Sequence, residues 1–325
     1  RDAGMKYLIF TAKHHDGFAM FHSSYDSYNV VDATPFRRDV LAELAQACRK
    51  YQIRLGCYYS QDQDWHEAGA SGNDWDFPKK TPAAFQHYLN TKVKTQLTEL
   101  LTNYGQVAII WFDTPVSISE EQSQELKDFV HRLQPDCLVS GRVGHGKGDY
   151  ESLGDNQLPP YPVKHPTEGL GTMNESWGYK PFDRHYRSTS ELLRILGSMV
   201  SKNANYLLNV GPDASGRFPA PALSRLRRIG QWLKTNGEAV YGAGACGIVF
   251  QVDFPWGKVT ANENTVYLWI FQKIQPEITL YGLRTRIRSA IIPGTRFEPE
   301  FRQEANPVVD YHKLTLRLPS GVTAP

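Results

Sequence analysis

The 325-residue chain has no cysteine pair spaced as a metal knuckle, no long apolar run and no block of like charge. Its four cysteines, Cys48, Cys57, Cys137 and Cys246, lie far apart with no CxxC among them. That spacing describes neither a zinc site nor a disulfide framework, and buried free thiols are expected instead. No stretch approaches the ~18 consecutive apolar residues of a membrane-spanning helix, so no membrane insertion is expected. Lysine and arginine (36) nearly balance aspartate and glutamate (34). The densest basic cluster, RLRR at 225–228, falls inside a helical pattern, which gives a nucleic-acid partner little support. No GxGxxG turn follows the first apolar run, so a dinucleotide crevice is unsupported. The chain opens on RDAG rather than Met and reads as cut from something longer.

What is present suits a globular α/β protein. Hydrophobic residues make up 41% and charged residues 22%, and the length allows one large domain and a smaller one. Aromatics reach 12%, with seven Trp, which fits a carbohydrate or apolar cleft as well as a large core. Up to about residue 244, short apolar runs alternate with amphipathic helices. The strand-like runs are KYLIFTA (6–12), IRLGCYYS (53–60), VAIIWFD (107–113), CLVSGR (137–142), a weak GTMNESW (171–177) and NYLLNVGP (205–212). Helices are expected over 36–51, from Thr81-Pro82 to about Tyr104, from the Ser119/Gln122 capping box to Pro135, from the Ser188/Glu191 capping box, and over 221–237 with Gly237 as the stop. Repeated strand–helix units mean a parallel sheet. Polar and aromatic residues collect where strands end (HHD, YYSQ, FD, GR, NESW, NVGP), as they do around the mouth of a (β/α)8 barrel. Six strands are visible and a closed barrel needs eight, so the expectation is a (β/α)8-type barrel, incomplete, with the first two strand–helix units missing. After Gly244 the period becomes two, with a hairpin signal at Asn262–Asn264. A partial catalytic barrel domain over 1–244 and a C-terminal antiparallel β-sandwich over 245–325 are therefore expected.

Asp113 is the sharpest chemical candidate. It closes the most hydrophobic strand, after Trp111-Phe112, and Thr114-Pro115 breaks the chain behind it. A carboxylate there is desolvated on one side and open to the barrel mouth, as a glycosidase nucleophile must be, although an aspartate capping the next turn would read the same way. In TAKHHDGFAMF (11–21), His14 and His15 cannot both point inward if they continue a strand, yet one at the strand end and one in the loop could both reach a sugar hydroxyl. A metal site would need further ligands on neighbouring strands, where Arg142 would compete with the cation.

KHHDGF (13–18), YYS (58–60), WFD (111–113), the arginine after VSG, SWGY (176–179) and NVGP (209–212), in this order, resemble family 29 glycoside hydrolases, the retaining α-L-fucosidases. The resemblance runs from about residue 4 to 244. It implies Asp113 as nucleophile, His14 and His15 as binders of fucose hydroxyls, and Tyr58 or Tyr59, Trp111, Arg142 and Trp177 as further residues of the sugar site. The family's acid/base varies in position. Asp155, in DYESLGDNQLP, is favoured here over Glu168, in PTEGLGTMNESWGY. The resemblance also implies a further histidine and a glutamate–tryptophan pair on two preceding strands that this chain does not contain. It implies a fucosylated oligosaccharide or glycoconjugate substrate, no cofactor, no metal, and an extracytoplasmic location; a homo-oligomer is left open. Two rival readings stand beside it: a metal-dependent barrel hydrolase built on His14, His15 and Asp113, and a non-catalytic carbohydrate-binding fragment.

Overall fold

The computed structural model describes residues 1–77, 80–248, 253–272 and 277–318, and the chain divides into two compact units. The first is Met5–Ser152 together with Arg1; the second is Leu153–Pro325 with Asp2–Gly4.

In the first unit β1 (Tyr7–Lys13), β2 (Arg54–Tyr59), β3 (Ile109–Phe112) and β4 (Leu138–Val139) form one parallel sheet in that order. The connections are helical. α1 (Val40–Tyr51) is capped by the Asp39 side chain, which accepts the Ala42 N–H, so the helix starts four residues after the expected Phe36. α2 (Pro82–Tyr88) starts at the expected Thr81 cap and runs through a π turn (Leu89–Val93) into α3 (Lys94–Asn103). α4 (Glu120–Leu133) carries the full Ser119/Gln122 capping box. The fourth strand is shorter than CLVSGR suggests: it gives way to a 3-10 turn at Gly141–Val143, which carries Arg142. Leu55, Cys57, Tyr59, Ile110, Phe112 and Val139 put one face of the sheet against Leu41, Leu97, Leu100 and Leu126 of the helices. Each such side chain adds roughly 1.5–3 kcal/mol on leaving water.

β5 (Glu151–Asp155), which spans the boundary at Ser152, forms a three-stranded sheet with β6 (Thr167–Thr172) and β7 (Ala204–Asn209) of the second unit, and β6 and β7 are parallel. The expected strand GTMNESW meets β6 only at Gly171-Thr172, since β6 begins four residues earlier, and β5 falls where no strand was expected; ESLGD is too polar and Gly-containing to read as one. α5 (Thr189–Val200) has the Ser188/Glu191 box, and α6 (Ala220–Asn236) follows. Gly237 does not stop α6 in the left-handed region. Its φ is −60°, and the chain continues as a 3-10 turn.

The remaining strands are antiparallel: β8 (Gly244–Ala245), β9 (Gly257–Ala261) and β10 (Val266–Ile270) in one sheet, β11 (Glu277–Leu283), β12 (Phe301–Ala305) and β13 (His312–Arg317) in another. Val259, Ile278, Leu280, Leu314 and Leu316 share one buried cluster. The expected hairpin is there, with Asn262 Oδ1 accepting the N–H groups of Asn264 and Thr265. The period-two run EITLYGLRTRIRSAII (277–292) is a strand only as far as Leu283, and part of the similar run GIVFQVDF (247–254) lies outside the described residues. α5 and α6 pack with Trp269 of β10, which approaches so closely that a Cβ on Gly197 would sit 3.0 Å from its ring. Among the described residues no helix is long and apolar enough to cross a membrane.

Candidate active site

Four strand ends in the first unit build the site. The registers Thr11↔Tyr58 and Tyr58↔Trp111 put Tyr58 and Trp111 side by side on the sheet face opposite the helical core. Their rings stack at 5.5 Å, His14 stacks on Tyr58 at 5.0 Å, and the Arg142 guanidinium lies 5.0 Å from the Trp111 ring centre. A row of π systems and one cation thus crosses β1 to β4. Side chains alternate along a strand, so Tyr59 must face the other way. It does: it is fully buried and donates its hydroxyl to Gln96 Oε1. Tyr59 is therefore a core residue. Of the two tyrosines it is Tyr58 that reaches Asp113, and Tyr59, offered as the other candidate for sugar binding, is turned away from it.

Asp113 sits one residue past β3 and is 8% exposed. Its Oδ2 accepts the Tyr58 hydroxyl at 2.6 Å, and its Oδ1 accepts Arg142 Nη1 at 2.8 Å. Burial raises the carboxyl's pKa. The hydrogen bonds from Tyr58 and Arg142, with the nearby positive charge, outweigh that and hold it below the ordinary carboxylate value. Two groups that the sequence reading missed fix its backbone. Gln61 accepts the Asp113 N–H at 3.0 Å and donates to the Arg142 carbonyl at 3.0 Å, clamping β2, β3 and β4 at one level. Asp62 is fully buried, and its Oδ2 accepts the N–H groups of Val116 and Ile118. Between these anchors Thr114 has φ +49°, a strained setting for a β-branched residue. The one trace of this in the sequence is the polar run SQDQD after the tyrosines.

His14 and His15 both lie beyond Lys13, where the strand has ended, so alternation no longer separates them. Their ring centres are 4.3 Å apart. His15 Nδ1 is 2.7 Å from Ser60 Oγ, and its Nε2 is 3.7 Å from Asp113 Oδ2. Burial, then His14 and Lys13, pull His15 down to about 4 against the pull of Asp113; burial also lowers His14. Both imidazoles are consequently neutral near pH 7. Trp111 is only 2% exposed, which makes it the floor under Tyr58 and Arg142. In the second unit, Asp155 is the last residue of β5 and is exposed, whereas Glu168 is the second residue of the fully buried β6. Trp177 is half-exposed on a loop, and its carbonyl accepts Asn209 Nδ2.

A cation does not suit this donor set. Both Asp113 oxygens already accept hydrogen bonds, one of them from the Arg142 guanidinium, which stands where a metal ion would have to sit. Among the described residues, Glu175, Asp183 and His185 bring ligand atoms together, but the Asp183 carboxylate is already used by Asn174, Ser176 and two backbone N–H groups. The four cysteines are buried free thiols, as expected.

The family model described as alpha-L-fucosidase matches residues 1–238. The chain belongs to the α-L-fucosidase family. It is similar to the α-L-fucosidase of Vibrio sp. strain EJY3, at 35% identity and a TM-score of 0.92, with 99% of this chain and 58% of that chain covered. With α-L-fucosidase isoenzyme 1 of Paenibacillus thiaminolyticus it shares 33% identity and a TM-score of 0.87, over 99% of this chain and 81% of that one. With AlfC of Lactobacillus casei, solved with its α-L-fucose product, it shares 42% identity and a TM-score of 0.67, over 72% of this chain and 76% of that one. The plasma alpha-L-fucosidase of Rattus norvegicus is 32% identical over 253 residues, 74% of this chain and 53% of the rat protein. The chain spans about half the length of the curated relatives it matches. The resemblance read from KHHDGF and WFD therefore holds, and the parallel strand core resembles that of a barrel-type glycosidase.

Proposed function

We propose that this chain carries the catalytic site of a retaining exo-α-L-fucosidase, with Asp113 as nucleophile. The observation that supports it best is the state of Asp113: a nearly buried carboxylate kept ionised by Tyr58 and Arg142 at the end of a parallel strand. In the first step a carboxylate oxygen of Asp113 attacks the anomeric carbon of a terminal α-L-fucosyl unit. The glycosidic C–O bond breaks, and the leaving oxygen takes a proton from the acid/base. In the second step that residue, now a carboxylate, removes a proton from water. The water oxygen attacks the same carbon, the ester to Asp113 breaks, and the configuration is retained. Such a pair of carboxyls works at ~5–5.5 Å. Asp155 remains the first choice for the acid/base, because it closes its strand as Asp113 does, while Glu168 stands near the start of one.

His14 and His15 hold ring hydroxyls, Tyr58 and Arg142 tune the nucleophile, and Trp177 borders the sugar. The reading carries with it a (β/α)8-type barrel of which 1–244 is the partial catalytic domain, a sandwich over 245–325, fucosylated glycans as substrates, and an extracytoplasmic location. Two consequences can be measured. With an aryl α-L-fucoside, the first fucose seen by proton NMR is expected to be the α-anomer, at a rate unaffected by EDTA. Release of the β-anomer, or loss of activity on chelation with recovery on adding zinc, would reject the mechanism, and binding without turnover would leave a carbohydrate-binding fragment. The second consequence concerns pH. Asp113 must be a carboxylate and His15 neutral; the first sits below the ordinary carboxylate value and the second at about 4. Both required forms are present above that point, so kcat/KM is expected to fall as the pH drops through about 4. A limb at the ordinary histidine value would contradict this assignment.

A further inference from the structure

Ser60 follows Tyr59 at the end of β2 and is fully buried. Its Oγ lies 2.7 Å from His15 Nδ1 and 2.8 Å from the Gln63 carbonyl oxygen. A hydroxyl has one proton to give. Were it given to His15, the Gln63 carbonyl would face Oγ at hydrogen-bond distance with no proton between them. In the other arrangement His15 Nδ1–H donates to Ser60 Oγ, and Ser60 Oγ–H donates to the carbonyl, so both contacts carry a proton. The far side of the ring points the same way. His15 Nε2 stands 3.7 Å from Asp113 Oδ2, beyond the roughly 2.7–3.2 Å at which an N–H would donate to a carboxylate. The groups facing the ring are His14, Asp113, Lys13 and Asp16, and their combined effect with burial keeps it neutral.

We propose that Ser60 is a positioning residue that locks His15 in the Nδ1–H tautomer, so that Nε2 presents a lone pair beside the nucleophile and accepts a hydrogen bond from a substrate hydroxyl. The step from tautomer to hydroxyl recognition rests on the fucosidase reading; the tautomer itself does not. An Nε2–H form would instead turn its proton toward Asp113 Oδ2, 3.7 Å away and out of hydrogen-bond reach, and would leave the sugar hydroxyl without its acceptor. Recognition of a hydroxyl at this corner thus depends on a residue that never touches the sugar.

The test is a long-range proton–nitrogen NMR spectrum of the ligand-free protein carrying 15N-histidine, with the His15 signals assigned by their loss in His15→Gln. The wild type is expected to show a protonated Nδ1 and an unprotonated Nε2. Ser60→Ala is expected to move the proton to Nε2 and to lower kcat/KM by about tenfold, the scale of one lost buried hydrogen-bond partner. Ser60→Thr, which keeps the hydroxyl, is expected to restore the wild-type pattern. A wild-type His15 protonated or averaged at Nε2 overturns the proposal, as does an unchanged tautomer in Ser60→Ala. A wild-type spectrum of the expected form in a protein that turns over no fucoside would refute the fucosidase reading while leaving the Ser60–His15 assignment standing.

Discussion

Asp113→Ala is expected to lower kcat on an aryl α-L-fucoside by about four orders of magnitude or more, the range seen when a covalent nucleophile is removed. The substitution takes away the attacking oxygen and leaves Tyr58 and Arg142 facing a gap. Both can still hold an anion, so added azide is expected to restore part of the rate by occupying that gap and attacking the sugar itself. Binding of fucose is expected to weaken far less than turnover, because His14 and His15 remain in place. A loss of only tenfold, or a loss confined to KM, would make Asp113 a binding group and move the nucleophile elsewhere.

Asp64→Ala is expected to cost about 3–5 kcal/mol of stability, the scale of breaking one partner out of a buried ionic group. Asp64 is fully buried between two lysines, 2.9 Å from Lys13 Nζ and 3.0 Å from Lys92 Nζ. Lys92 keeps Glu67 at 3.3 Å, but Lys13 would be left with the Tyr88 hydroxyl as its hydrogen-bonding partner. Burial raises the Asp64 carboxyl's pKa, and the two ammonium groups outweigh it and bring it below its ordinary value. A depressed carboxylate contributes stability above its unfolded pKa of 3.8 and loses it as the pH falls through the folded one, so this contribution is complete at neutral pH. Denaturant unfolding measures the loss. The Lys13→Met/Asp64→Leu pair, which removes the Lys13–Asp64 charges together, is expected to cost less than Asp64→Ala alone. A change below 1 kcal/mol in the single variant would contradict this account. The cluster also reaches the site: Lys13 directly precedes His14, and Asp64 lies so close under Gly17, at φ +81°, that a Cβ there would be 2.1 Å from its Oδ1. KHHDGF is thus held from below by the residues that the chemistry does not use.

Most of the parallel core could be read from the sequence, because its strands are apolar runs and its helices open on strong caps. Asp39, Thr81, Ser119 and Ser188 all cap helices through side-chain oxygens, and three of the four were legible. What escaped depends on pairing. β5 and β12 are polar enough to pass for loops, and β6, with two glycines in TEGLGT, carries little strand signal although every residue is buried. The choice between Tyr58 and Tyr59 had no local answer: both faces of β2 meet side chains, so alternation gives a period without a phase. Gln61, Asp62 and Ser60 read as a polar loop, since the site groups they hold, on His15, Asp113, Val116, Ile118 and Arg142, lie 45 or more positions away. Asp113, by contrast, was visible because a charge directly after IIWF has few structural reasons to be there.

The most direct test of the central claim is to trap the covalent intermediate. A fluorinated L-fucosyl fluoride, whose electron-poor ring slows hydrolysis of the sugar ester, is added to the protein, which is then digested and mapped by mass spectrometry. The expected result is one fucosyl unit per chain, on the peptide spanning VAIIWFD and attached to Asp113. A label on Asp155, Glu168 or any other carboxylate, or steady turnover of the reagent with inverted configuration and no label, would contradict it.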